Sequence, residues 1–69
     1  MRLSARNQLR GTVASIDVGA VMATVTIQLE GGQEVVAAIT KDSAEELGLA
    51  VGDRVTAVIK ATEVMVGKD

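Results

Sequence analysis

Histidine, cysteine, proline and all three aromatic residues are absent from this chain of 69 residues, and each absence closes off a class of function. With no histidine or cysteine, and no serine set beside a base, there is no activated nucleophile and no cysteine–histidine cluster with metal-ligand spacing. The chain therefore reads as a binding protein, not an enzyme. Without rings there is no stacking platform for single-stranded nucleic acid, and a net charge of −2 also speaks against a polyanionic partner. No uninterrupted apolar run approaches the roughly 20 residues of a membrane span. The N-terminus also lacks the charged-then-apolar pattern of a signal peptide, so a cytoplasmic location is the expectation.

The missing cysteines matter for stability as well. A chain of 69 residues forms one domain, 1–69, and at that size a single core is marginal. Disulfides and structural metals are the usual staples of small domains, and neither is available, which leaves association with copies of itself. Apolar residues nevertheless make up 48% of the chain, all of them aliphatic, alanine or methionine, more than one small core requires. The surplus predicts faces buried between subunits.

What is present is unevenly distributed. Arg2, Arg6 and Arg10 fall before Asp17, the first acid, whereas the remainder holds four basic residues against nine acidic ones. Ser4-Ala5-Arg6-Asn7-Gln8-Leu9-Arg10-Gly11 thus concentrates hydrogen-bond donors with no local carboxylate to neutralise them, the chemistry that suits an oxyanion. The plain alternative is a solvated lead-in to the first strand.

Gly11 to Val18 alternates with period two, setting Thr12, Ala14, Ile16 and Val18 against Val13, Ser15 and Asp17, and predicts a first strand with one drier face. A turn at Asp17-Val18-Gly19-Ala20 leads into Val21 to Leu29, where Val21, Ala23, Val25, Ile27 and Leu29 face inward. After Glu30-Gly31-Gly32-Gln33, the stretch Glu34 to Thr40 predicts a third strand that is apolar on both faces and so calls for a second covering layer. Asp42 with Glu45 three residues on reads as a capping box opening a short helix, with Ala44, Leu47 and Leu49 on its apolar side and Gly48 ending it. The acids Asp42, Glu45 and Glu46 then suit the helix dipole and need no further role. Ala50-Val51-Gly52-Asp53 is a turn, Arg54 to Ala61 a fourth strand with Val55, Ala57 and Ile59 inward, and Thr62 to Val66 a short fifth. The order predicts a mainly β fold, a five-stranded, partly open Greek-key barrel of the oligonucleotide/oligosaccharide-binding type, with one short helix between strands three and four.

Lys60-Ala61-Thr62 forms a second donor-rich point, with an ammonium, a hydroxyl and backbone N–H groups beside a small residue. Taken with Ser4 to Gln8, and with Val58 to Met65 as a unit, it closely resembles the molbindins, small molybdate-binding proteins with a TOBE/OB-like domain. The likeness runs over almost the whole chain, from the Ser4-Ala5-Arg6-Asn7-Gln8-Leu9 opening through the helix at Asp42 to Gly48 to the closing Ile59-Lys60-Ala61-Thr62 and Val64-Met65. It implies a homohexamer, a trimer of dimers, that holds molybdate or tungstate between subunits for storage and homeostasis. By position it implies that Ser4, Arg6, Lys60 and Ala61 contact the oxyanion, with Ala5, Asn7, Thr40 and Thr62 around them. Where some relatives carry serine this chain has Ala61, which leaves only the backbone N–H at that position. Arg6 of one subunit set near Lys60 of another would surround the ion as no single thin barrel can.

Other readings stay open at this point. Arg6 can serve as a surface group or an inter-subunit ion pair, Lys60 as a solvated strand lysine, and Met22, Val36 and Met65 as interface packing. A structural or regulatory oligomerisation module without physiological oxyanion binding is the alternative function.

Overall fold

The computed structural model describes residues 1–69, in the order β1 (Asn7–Val18), β2 (Met22–Leu29), β3 (Glu34–Thr40), α1 (Lys41–Leu47), β4 (Arg54–Ile59) and a 3-10 turn (Ala61–Glu63). The strands form one antiparallel sheet in the order β3-β2-β1-β4, curled into a half-barrel, mainly β with one short helix. There are four strands and not five. Thr62 to Val66 carries strand-like residues, but the chain first closes a 3-10 turn and then runs on with Met65 and Val66 both 93% exposed. Both sheet edges, β3 and β4, remain unpaired in the protomer, so the barrel stays open between them.

The long central strand differs from its sequence reading in two respects. Pairing with β4 begins at Asn7, four positions before the apolar alternation does, because the ladder recruits the polar residues Asn7, Gln8 and Arg10. A bulge then leaves Ala14 without a partner on β2, where Val13 faces Ile27 and Ser15 faces Thr26. An extra residue in one strand reverses which side chains face inward beyond it. Before the bulge Gly11 and Val13 are buried, and after it Ile16 is the half-buried residue, so Val13 and not Thr12 or Ala14 belongs to the core. The backbone of Val13 is held from the turn before β4, by its N–H to the Asp53 carbonyl and its carbonyl to the Gly52 N–H, both at 2.9 Å.

Val13, Val25, Ile27 and Ala57 make the core, and only seven of 69 residues are buried, a core small enough to leave much aliphatic surface unused. An open groove of about 410 Å³ between the β3 and β4 edges is lined almost wholly by aliphatic side chains. Val36, Met22 and Met65 are exposed in the protomer.

Helix α1 starts two residues earlier than the capping-box reading. Thr40 and not Asp42 is the N-cap, its hydroxyl oxygen accepting the Ser43 N–H at 3.0 Å. Gly48 ends the helix at φ 62°, and the Gly48 and Leu49 N–H groups close back on the Glu45 and Ala44 carbonyls, so the terminator falls where its residue type required. Ala44 alone on the helix is buried, while Leu47 is 69% exposed and contributes nothing to the protomer's core.

Candidate functional site

The last paired position of β1 and β4 is Asn7 opposite Ile59. The next residue on each strand is a cation, Arg6 on one and Lys60 on the other. Side chains alternate along a strand, and the half-buried Asn7 and Ile59 face inward, so Arg6 and Lys60 share the outer face and are exposed. Just past the ladder's end the sequence therefore places two like charges side by side, an arrangement that is unfavourable between neighbouring strands unless something of opposite sign joins them. Neither is paired with a carboxylate: the single ion pair of the protomer is Lys41 with Glu45, at 4.0 Å on α1.

Ser4, Ala5, Arg6, Lys60, Ala61 and Thr62 together line one open hollow of about 350 Å³. The two donor-rich stretches at opposite ends of the chain thus meet within a single protomer. Arg6 and Lys60 of the same protomer border this one hollow. The lining offers a guanidinium, an ammonium and two hydroxyls, and the small Ala5 and Ala61 admit a ligand close to the main chain. Ala61 and Thr62 lead the 3-10 turn, whose internal bonds begin only at the Glu63 N–H to the Lys60 carbonyl, 2.9 Å, and the Val64 N–H to the Ala61 carbonyl, 3.3 Å. Leading N–H groups of a helical turn have no acceptor inside it, so those of Ala61 and Thr62 add to the donor set.

Two short side-chain bonds shape this end of the sheet. The Asn7 Nδ2 donates to the Ile59 carbonyl at 3.1 Å, and the Gln8 Nε2 donates to the Ala5 carbonyl at 2.9 Å. Asn7 is not among the residues that line the hollow, and its Nδ2 is engaged by the Ile59 carbonyl. The sequence reading counted Gln8 only among the donors of the opening stretch, and its return to Ala5 is not visible in spacing alone.

Thr40 is not part of this hollow. It pairs with Met22, at the opposite end of the sheet from the Asn7–Ile59 pair. Its hydroxyl donates to the Ser43 Oγ at 2.8 Å while accepting the Ser43 N–H, so within the protomer it serves the helix start. The other hollows have different chemistry. One near the β2–β3 turn sets Glu30 beside Arg54, which puts a carboxylate where an anion would sit, and the groove between the sheet edges is apolar.

Residues 3–66 match the TOBE domain family model. Molybdenum-pterin-binding protein 1 of Clostridium pasteurianum is 46% identical over 66 residues, which cover 96% of this chain and 97% of that protein. Among solved structures, MopII from Clostridium pasteurianum superposes with a TM-score of 0.93 at 43% identity, over 97% of this chain and all of that one. A molybdate-binding protein from Sporomusa ovata does so at 0.92 with 50% identity, over 99% of this chain and all of that one.

Proposed function

We propose that this chain, which belongs to the TOBE domain family, binds molybdate in the hollow between its Ser4–Arg6 and Lys60–Thr62 segments. The observation that carries the reading is the adjacency of Arg6 and Lys60, two cations with no carboxylate partner, in a lining made of donors and small residues. A tetrahedral dianion leaving water needs its oxygens met by several donors at once, since an unpaired buried charge is far costlier than a single bond returns. Charge-assisted bonds contribute about 1.5–3 kcal/mol each, so an arginine, a lysine, two hydroxyls and two backbone N–H groups suffice in number. The Ala61 side chain adds nothing to that set. A pterin ring would want a face to stack on, and the chain has no Phe, Tyr or Trp, which favours the bare oxyanion, molybdate or tungstate, as ligand.

The hollow is open, and its lining residues approach an ion from one side. A second copy closing it would supply the remaining donors and exclude water, and this supports binding at subunit interfaces of a homo-oligomer, the homohexamer of the molbindin resemblance. The apolar groove and the exposed Val64-Met65-Val66 tail give the copies aliphatic surface to bury against one another. Binding to the assembled form alone would then stabilise the assembly by mass action. Storage and homeostasis of the oxyanion in the cytoplasm is the role that follows. Thr40, on the end of the sheet away from its own hollow, would reach a site only from another protomer.

Isothermal titration with molybdate, tungstate and sulfate tests the reading. Saturable heat with molybdate or tungstate, well above that with sulfate, is expected. Heat indistinguishable from the sulfate control would leave the oligomerisation module, for which the small core and the apolar groove also speak.

A further inference from the structure

We infer that Asn7 and Gln8 are positioning residues of the oxyanion site, two carboxamide clasps that aim Lys60 and Arg6 without touching the ligand. The inference rests on the molybdate reading of the hollow and adds to it. Each clasp grips the carbonyl of the peptide unit leading into one of the cations: Asn7 Nδ2 holds the Ile59 carbonyl at 3.1 Å, and Gln8 Nε2 holds the Ala5 carbonyl at 2.9 Å. A peptide unit is planar, so fixing the Ile59 carbonyl fixes the plane that carries the Lys60 N–H and its Cα, and fixing the Ala5 carbonyl does the same for Arg6. The β1–β4 ladder stops at the Asn7–Ile59 pair, so the Ile59 carbonyl sits at its very end and the Ala5 carbonyl lies beyond it. The clasps take over where the sheet ends.

Their placement explains why they are adjacent in sequence. Successive residues of a strand face opposite sides, so Asn7, half-buried, reaches across to β4 while the exposed Gln8 folds back on its own lead-in. Asn7 lies on the inner face with Ile59, opposite the outer face of Arg6 and Lys60, and its donor is committed to a backbone carbonyl 52 residues away. That geometry makes it a holder of the site and not a contact of the ion. Preorganised donors do not have to be ordered when the ion arrives, and that saving appears as affinity.

The test uses Asn7→Leu and Gln8→Met, near-isosteric changes that remove the carboxamide and with it the donor of each clasp, with molybdate as probe. The expected result is a molybdate Kd raised about three- to tenfold in each, the worth of one neutral hydrogen bond. Amide hydrogen exchange in the ligand-free protein should quicken at residues 60–63 for Asn7→Leu and at 5–8 for Gln8→Met, with the melting midpoint of Gln8→Met unchanged. A purely structural role would move the midpoint and spread faster exchange over the sheet, and that result overturns the inference. So does wild-type affinity in both variants. A loss of affinity as large as that of Arg6→Ala with no change in ligand-free exchange would make Asn7 a direct contact, which also overturns it. Should Asn7→Leu fail to fold, Gln8→Met carries the test. If wild-type protein gives no heat with molybdate, the functional reading has failed, and the clasps are judged by the ligand-free exchange alone: rates equal to wild type refute them.

Discussion

Gly11→Ala is the substitution whose cost can be worked most directly from the structure. Gly11 is buried in β1 and flanked on both sides, by Leu29 of β2 and Val55 of β4. A Cβ added there would stand 2.5 Å from the Gln28 carbonyl oxygen, 2.7 Å from the Ile27 Cγ2 and 3.1 Å from the Gln28 carbonyl carbon. Two of the three obstacles are backbone in the neighbouring strand, which can move aside only by opening the ladder between β1 and β2. Overpacking of this kind costs about 1–3 kcal/mol. Losing glycine's freedom in the unfolded chain offsets about 0.5–1 kcal/mol of that. The net is roughly 1–2 kcal/mol, which for a domain of this length lowers Tm by about 5–15 °C. Circular-dichroism melts of ligand-free wild type and Gly11→Ala, at one protein concentration so that association does not confound them, give the number. An unchanged or raised Tm would refute the packing argument and the register of β1 with it. Because β1 begins at Asn7, directly after Arg6, disturbing its ladder should lower molybdate affinity alongside Tm.

Val13→Ala removes two methyl groups from a residue only 1% exposed and should destabilise by about 2–3 kcal/mol in urea unfolding, whereas Val36→Ala on the exposed face should change stability little. Arg6→Gln and Lys60→Gln should each weaken molybdate binding about ten- to a hundredfold by titration calorimetry. The same changes should leave the ligand-free protein as stable as wild type or a few tenths of a kcal/mol more so at low salt, since each removes one of two adjacent like charges. Equal losses of ligand-free stability and binding would show that the two side chains hold the fold instead of the ion. Ala61→Ser adds a hydroxyl donor at the mouth of the 3-10 turn and should tighten molybdate binding several-fold, about the worth of one hydrogen bond, as competition between the two variants for limiting molybdate would show.

The parts legible in the sequence are those set by local chemistry. The alternation of Ala23, Val25 and Ile27 placed β2, the apolar run of Val35 to Ile39 placed β3, and Gly48 ended the helix at a left-handed position no β-branched residue tolerates. The misreadings arise where distant chain decides. A bulge at Ala14, pinned by Val13 bonding to Gly52 and Asp53, reverses the face of β1 and puts Val13 in the core, and a period-two pattern holds no record of it. Thr40 outcompetes Asp42 as cap because β3 delivers its hydroxyl to the Ser43 N–H in an extended conformation. A fifth strand at Thr62 to Val66 needs an edge to pair with, and the protomer's own chain turns through Ala61–Glu63 instead.

The candidate site divides in the same way. Donors clustered at Ser4 to Arg6 and at Lys60 to Thr62 are visible as residue types, and the β1–β4 register brings them to one hollow. The bond from Asn7 to Ile59 spans 52 residues and is invisible until the strands are paired.

The account turns on whether an oxyanion sits among these donors. Amide proton shifts of uniformly 15N-labelled protein, followed through a molybdate titration, test it most directly. Saturable shifts concentrated at Arg6, Ala61 and Thr62, absent with equal sulfate and lost in Arg6→Gln, are predicted. Shifts that gather elsewhere, or none at Ala61 and Thr62 while molybdate still binds, would contradict it.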